Sequence, residues 1–193
     1  MGIKIKSTKS FYHMPVAHAQ YHDMTPERTP GACAAIHGYD RSVHLTFAGE
    51  VDDHGWIYPF GDLKPVKEFL EYYFDHTLVL PADDPRLENI PVEMTECGQL
   101  LGEMRILPYG VSMEMSSLFA WEYINPYIYH TTGGRVYLEK IEFREHEKNS
   151  AFLEVDEETA KKQAERYRSD ADLLVKVIMH AHQPPKDALA QYS

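Results

Sequence analysis

The chain opens on IKIKSTKSFYH, in which apolar and polar positions alternate before the run turns apolar, and this predicts an opening strand. MTPERTPGA then carries two prolines and a glycine and reads as a loop. IHGYDRSVHLTFAGEV alternates again and puts Val43, Leu45 and Phe47 on one face of a second strand. DDHG is a turn signal, and WIYPF reads as the return strand of a hairpin, with Pro59 at an edge or bulge because it lacks a ladder donor. In GDLKPVKEFLEYYFDH the residues Leu63, Val66, Phe69, Leu70 and Tyr73 recur at helical spacing, with Asp62 as the expected N-cap and Pro65 in the first turn. LPADDPRLENIP is a loop, and MTECGQLLGEMRILPYG holds one or two short strands. SMEMSSLFAWEYINPYIYH predicts a second helix ending near Asn125-Pro126. GGRVYLEKIEFRE is a strand with Val136, Leu138, Ile141 and Phe143 as its apolar positions and a phase slip between them. A long helix is expected from an Asp156 cap to Pro184-Pro185, with Leu173, Leu174, Val177 and Ile178 giving it an apolar side. No internal repeat is present. This order predicts an α+β fold, an antiparallel sheet with helices packed on one face, over residues 1–155, and a helical extension over 156–193.

Composition narrows the class. A chain of 193 residues, 44% hydrophobic and 25% charged, suits one globular domain with a sizeable core. The formal net charge of −11 argues against a nucleic-acid partner, since counterion release needs clustered Lys and Arg. No apolar run approaches the roughly 20 residues of a membrane span. MGIKIKSTKS lacks the apolar stretch of a secretory leader, so the expected location is cytoplasmic. Cys33 and Cys97 are too few for a disulfide framework, and no CxxC pair suggests a zinc ribbon. Cys97, with no histidine nearby in sequence, reads as a buried or loop thiol.

The candidate chemistry lies in CAAIHGYD, residues 33–40. Strand residues two apart face the same way about 7 Å apart, so His37 and Tyr39 share a face, and hairpin pairing can bring His18 opposite. Three such side chains with an open position would suit a catalytic zinc ion that takes substrate oxygens. Asp75-His76 closes a helix, where a carboxylate-oriented imidazole serves either as a proton relay or as a simple dipole cap. Ser112 taken alone reads as an N-cap, and Glu145 as one charge among many in EFREHEKN.

The order of AH, CxxxHGx, FGDLK, DH before a loop, and a final strand ending in Glu resembles the 6-pyruvoyl-tetrahydropterin synthase / 6-carboxy-tetrahydropterin synthase family from about Lys4 to Leu153. The four-residue gap from Cys33 to His37 is closer to the 6-carboxy branch. The resemblance implies the tunnelling fold, in which small α+β subunits assemble as homo-oligomers, tetramers or hexamers, into barrels with sites between neighbours. It implies a lyase acting on 7,8-dihydroneopterin triphosphate to give 6-carboxy-5,6,7,8-tetrahydropterin, on the way to a deazaguanine, or 6-pyruvoyl-tetrahydropterin. It implies Zn2+ on His18, His37 and Tyr39, catalysis by Cys33, Asp75 and His76, and substrate contacts from Glu145, Ser112 and Glu114. In those roles the metal acidifies substrate C–H and O–H bonds, the thiolate acts as base, and the glutamate accepts a pair of N–H bonds from the pterin edge.

Tyr39 stands where the family has a third zinc histidine, and VSMEMS where it has Pro-Thr-x-Glu-Asn. A neutral phenol with a pKa near 10 is a poor zinc ligand. Three outcomes stay open: a phenolate ligand, a substitute from His22, Asp40 or His44, or weak or no metal binding. The corresponding functions are a pterin-forming lyase, a relative with changed substrate or reaction, and a non-catalytic assembly protein.

Overall fold

The structure, a computed structural model, describes residues 5–21, 31–95, 99–108 and 110–167. Six strands form one sheet: β1 (Ile5–His18), β2 (His37–Gly49), β3 (Thr77–Pro81), β4 (Glu103–Leu107), β5 (Val136–His146) and β6 (Asn149–Glu154), in spatial order β4-β3-β1-β2-β5-β6. Among the described residues three α-helices accompany it: α1 (Lys64–Phe74), α2 (Met113–Thr131) and α3 (Glu157–Ala164). None among the described residues is long and apolar enough to cross a membrane.

The expected antiparallel sheet is corrected to a mixed one. β1–β2, β2–β5 and β5–β6 are antiparallel, whereas β1–β3 and β3–β4 are parallel. The parallel edge arises because TLVLP, all five residues buried, continues straight from α1 as a strand beside β1. A short, wholly buried run carries no alternation to mark it in sequence. The expected WIYPF strand is absent. β2 already pairs with β1 on one side and β5 on the other, and the chain instead turns on Asp52, whose Oδ1 accepts the backbone N–H of His54 and Trp56.

Val43, Leu45 and Phe47 are fully buried, as are Val136, Leu138, Ile141 and Phe143 of β5, and all pack into one core with Val66, Phe69, Leu70 and Phe119 of α1 and α2. Two β-bulges set which side chains enter that core. At Tyr12–His13, β1 has two residues between pairs where β2 has one, and His13 takes a left-handed φ of 62°. Beyond this bulge the even positions Met14, Val16 and His18 turn to the core. On β5 the extra residue is Glu139, the phase slip visible in the sequence; beyond it the odd positions Ile141, Phe143 and Glu145 point the same way.

α1 begins behind a 3-10 turn, Phe60–Leu63, so Leu63 rather than the expected Asp62 is its N-cap, while Pro65 sits in the first turn as expected. α2 runs through Pro126 instead of ending there. The proline removes the donor for the carbonyl of Glu122, four residues back. Gln163 Nε2 from α3 donates to that carbonyl at 2.9 Å, while Asn125 Nδ2 donates to Ala160 O and Gln163 Oε1 at 2.8 Å. The predicted Asp156 cap is present, accepting from Thr159 N at 2.7 Å. α3 ends at Ala164 with Glu165 as its C-cap, short of the single long helix expected to reach Pro184-Pro185; Leu173 to Ile178 of that expected helix, and Cys97, lie outside the described residues.

Candidate functional site

The core-facing row of β2 reads Phe47, Leu45, Val43, Arg41, Tyr39, His37, from the hydrophobic interior to an open end. Its neighbours end alike. On β1 the row closes on His18, paired with His37, and on β5 the register that pairs Val43 with Phe143 sets Glu145 across from Arg41. Three adjacent strands thus turn from apolar to polar at one end of the sheet, and the polar groups meet there.

His18 is 1% exposed, its ring centroid 4.3 Å from that of His37 and 6.0 Å from that of Tyr39; His37 and Tyr39 stand edge-on at 5.7 Å. The three side chains that the hairpin was expected to unite are therefore together. The Nδ1–H of His37 donates to Ala35 O at 2.8 Å, which leaves its Nε2 unprotonated in the neutral ring. Gly38 lies between them where a Cβ would sit 2.8 Å from Val16 O, so only glycine lets the two strands approach here.

Arg41 was not among the sequence candidates. It is fully buried, donating to Ser116 Oγ at 3.4 Å, Val111 O at 3.4 Å and Glu145 Oε1 at 3.3 Å, while its Nε has no hydrogen-bond partner among the described residues. A buried donor left unpaired costs about 1–3 kcal/mol. Its Nη2 lies 3.2 Å from Nδ1 and 3.5 Å from Nε2 of His18. A nitrogen nearly equidistant from both ring nitrogens cannot follow either lone pair without colliding with Cε1, so the guanidinium rests over the imidazole face. Burial first, then the charges of Arg41 and His37, lowers the His18 pKa to about 3. Burial also lowers that of Arg41, with Glu145 opposing. Phase alone could have found it: position 41 shares the parity of 43, 45 and 47, and a charge in a core row requires a buried partner.

The remaining candidates are more dispersed. His76, with a left-handed φ of 55°, donates from Nδ1 to Asp75 Oδ1 at 2.6 Å, its backbone N–H is tied to Pro15 O at 2.7 Å, and its side chain is 82% exposed. His76 and Tyr39 line one open groove, with Ala17, Thr77 and Leu100. Cys33 stands in a 3-10 turn, Ala32–Ala34, as an exposed free thiol, its carbonyl accepting Gln20 N–H at 2.7 Å. Among the described residues no hydrogen bond joins that thiol to His76 or Glu145. Ser112 caps α2, accepting from Met115 N at 3.3 Å, and Glu114 is exposed in the first turn; their neighbours Val111 and Ser116 reach Arg41 instead.

The donor set does not fit a zinc ion. Among the described residues no three His, Cys, Asp or Glu side chains gather as a ligand group. Asp40 turns to the opposite face, where its Oδ2 meets His13 Nδ1 at 3.1 Å, and His44 lies there between Ser10 Oγ at 2.8 Å and Ser42 Oγ at 3.1 Å. His22 lies outside the described residues. Two imidazoles and a phenol remain, with a guanidinium against one imidazole. An ion bonded about 2.1 Å from either His18 nitrogen falls within about 6 Å of Arg41 Nη2. At about 6 Å two unit charges repel by about 3 kcal/mol at an effective dielectric near 20, and a dication doubles that, with the paired Glu145 carboxylate offsetting part of it.

A mixed sheet backed by helices, with histidines and a glutamate at one end of its core rows, defines a tunnelling-fold protein. Residues 7–156 match the sequence model of the 6-pyruvoyl tetrahydropterin synthase family, and the chain belongs to that family. It is 34% identical over 73 residues to 6-carboxy-5,6,7,8-tetrahydropterin synthase of Bacillus subtilis, a stretch covering 37% of this chain and 44% of that protein. The chain thus spans less than half the length of that relative. Among solved structures, an uncharacterized Wolinella succinogenes protein superposes with a TM-score of 0.66 at 17% identity, over 80% of this chain and 100% of that one. The 6-pyruvoyl tetrahydropterin synthase of Plasmodium vivax superposes with a TM-score of 0.54 at 16% identity, over 79% of this chain and 99% of that one. At these identities the superpositions establish the shared fold.

Proposed function

We propose that the chain is a pterin-processing lyase that acts on 7,8-dihydroneopterin triphosphate, eliminating triphosphate to form 6-pyruvoyl-tetrahydropterin or, with the outer two side-chain carbons also released as acetaldehyde, 6-carboxy-5,6,7,8-tetrahydropterin. The observation that carries this is the convergence of His18, His37, Tyr39 and Glu145 at the end of three adjacent core rows, within the stretch that matches the family. In this reading Glu145, held by Arg41, accepts N–H bonds from the pterin edge. The exposed Cys33 thiol acts as the base, and His76, its tautomer set by Asp75, moves a proton at the groove. The working form is taken as a homo-oligomer, because the His76 groove is open on one side and a neighbouring copy would close it.

The test is incubation of the purified protein with 7,8-dihydroneopterin triphosphate, following triphosphate release and the pterin product chromatographically, with Cys33→Ala alongside. Release that is lost in Cys33→Ala supports the lyase. Tyr39 and Arg41 favour a second reading, a relative that binds a pterin without eliminating triphosphate, and this is the outcome if the pterin binds but nothing is released. Neither binding nor release defeats both and leaves an assembly protein.

A further inference from the structure

We propose that Arg41 supplies the fixed positive charge of this site and that no divalent ion is held there. The inference rests on the reading of the three converging rows as the ligand site. Arg41 is on β2, which is flanked by β1 and β5, and its guanidinium is held by Ser116 Oγ, Val111 O and Glu145 Oε1 while covering His18. It is fully buried, so it has no solvent-facing position to swing into if an ion arrives. Glu145 Oε1 lies 3.8 Å from His18 Nε2, and it is already paired with this guanidinium. A cation entering between His18 and His37 therefore meets a like charge with its counter-charge already engaged.

Tyr39 completes the arrangement. Its ring is tilted against that of His18 at 6.0 Å and edge-on to that of His37 at 5.7 Å, and it offers a phenol where a third strong donor would be needed. Arg41 is thus a positioning residue: it does not reach solvent or ligand, but it fixes the carboxylate of Glu145 and covers the face of the adjacent imidazole. The site has its charge built into the chain, where other arrangements of two imidazoles and an open position would borrow it from a metal.

The test is elemental analysis of the protein as purified without chelator or metal-binding tag, then after dialysis against zinc, for the wild type, Tyr39→His, Tyr39→His/Arg41→Leu and Tyr39→His/Arg41→Lys. The wild type is expected to be essentially free of zinc, copper, iron and manganese. Tyr39→His gains little, whereas Tyr39→His/Arg41→Leu binds zinc at least about tenfold more tightly than Tyr39→His, because the repelling charge is gone. Tyr39→His/Arg41→Lys retains the charge and stays weak, which separates a charge effect from simple disturbance of packing. Near-stoichiometric zinc in the wild type that disappears in His18→Ala overturns the proposal, and so does a Tyr39→His variant that binds as tightly as its Arg41→Leu double. Pterin affinity of the wild type, read by fluorescence, is independent of this. A metal-free chain that ignores pterins defeats the functional reading and leaves this inference standing; a zinc-loaded chain that turns pterin over does the reverse.

Discussion

Arg41 and Glu145 face each other across β2 and β5, 3.3 Å apart, with Arg41 fully buried and the Glu145 side chain 12% exposed. A buried ion pair of this kind adds little net stability, but breaking it strands a charge. Arg41→Leu is therefore expected to destabilise the protein by about 3–5 kcal/mol, and Glu145→Leu by a similar amount. The double variant Arg41→Leu/Glu145→Leu should cost clearly less than the two singles added together. Urea unfolding of the four proteins gives the coupling, and strict additivity would show that the two groups do not act as a pair.

Acid should loosen the same region. The His18 pKa is lowered to about 3, against an ordinary value of 6.5, so between these limits the unfolded chain binds a proton that the folded one refuses. Stability from this group is complete above pH 6.5 and is lost as pH falls towards 3, with a slope approaching about 1.4 kcal/mol per pH unit. In His18→Leu that part of the slope should vanish. Unfolding free energies of the two proteins, taken at several pH values in this window, check it; parallel curves would remove His18 as the cause.

Helix α2 offers a cleaner test of one hydrogen bond. Gln163→Leu leaves the Glu122 carbonyl opposite Pro126 without its donor and should cost about 1–3 kcal/mol. Pro126→Ala restores a backbone N–H at that turn, so Gln163→Leu should cost less on the Pro126→Ala background. Thermal unfolding of the single and double variants measures the coupling. Equal costs on both backgrounds would mean that Gln163 acts only through Asn125.

His76→Ala separates chemistry from folding. The side chain is 82% exposed and, among the described residues, paired only with its neighbour Asp75, so the melting temperature should change little. If the imidazole relays a proton, triphosphate release should fall by about 10²–10⁴. Unchanged turnover would reduce the Asp75–His76 pair to a helix end.

Gly38 bears on the geometry of the cluster. Gly38→Ala drives a methyl to 2.8 Å from the Val16 carbonyl, between His37 and Tyr39, and the strands must part to admit it. A loss of about 1–3 kcal/mol in stability is expected, together with weaker pterin binding. Pterin fluorescence titration beside urea unfolding reports both, and full affinity in the variant would show that close β1–β2 contact is not needed for the site.

The sequence by itself determined the core row of β2, the buried face of α1, the cap at Asp156 and the phase slip in β5. Each of these is recorded in a local period or in a single capping residue, because burial on one face repeats along the chain every two or about 3.6 residues. The pairing of His18 with His37 was likewise legible, since an antiparallel hairpin of two alternating strands has few registers that bury both apolar faces. Tertiary structure decided the rest. It alone turned His18 inward, through a bulge at Tyr12–His13 that no alternation announced. It alone made Thr77–Pro81 a parallel strand beside β1 and carried α2 through Pro126 by lending the Gln163 amide from another helix. It set Arg41 over His18 and against Glu145, residues 23 and 104 positions away. A period along the chain tells which face of an element is buried, but the partner of a buried charge is chosen by strand order and register. Those depend on contacts between distant segments, and it is there that this site acquired its fixed cation.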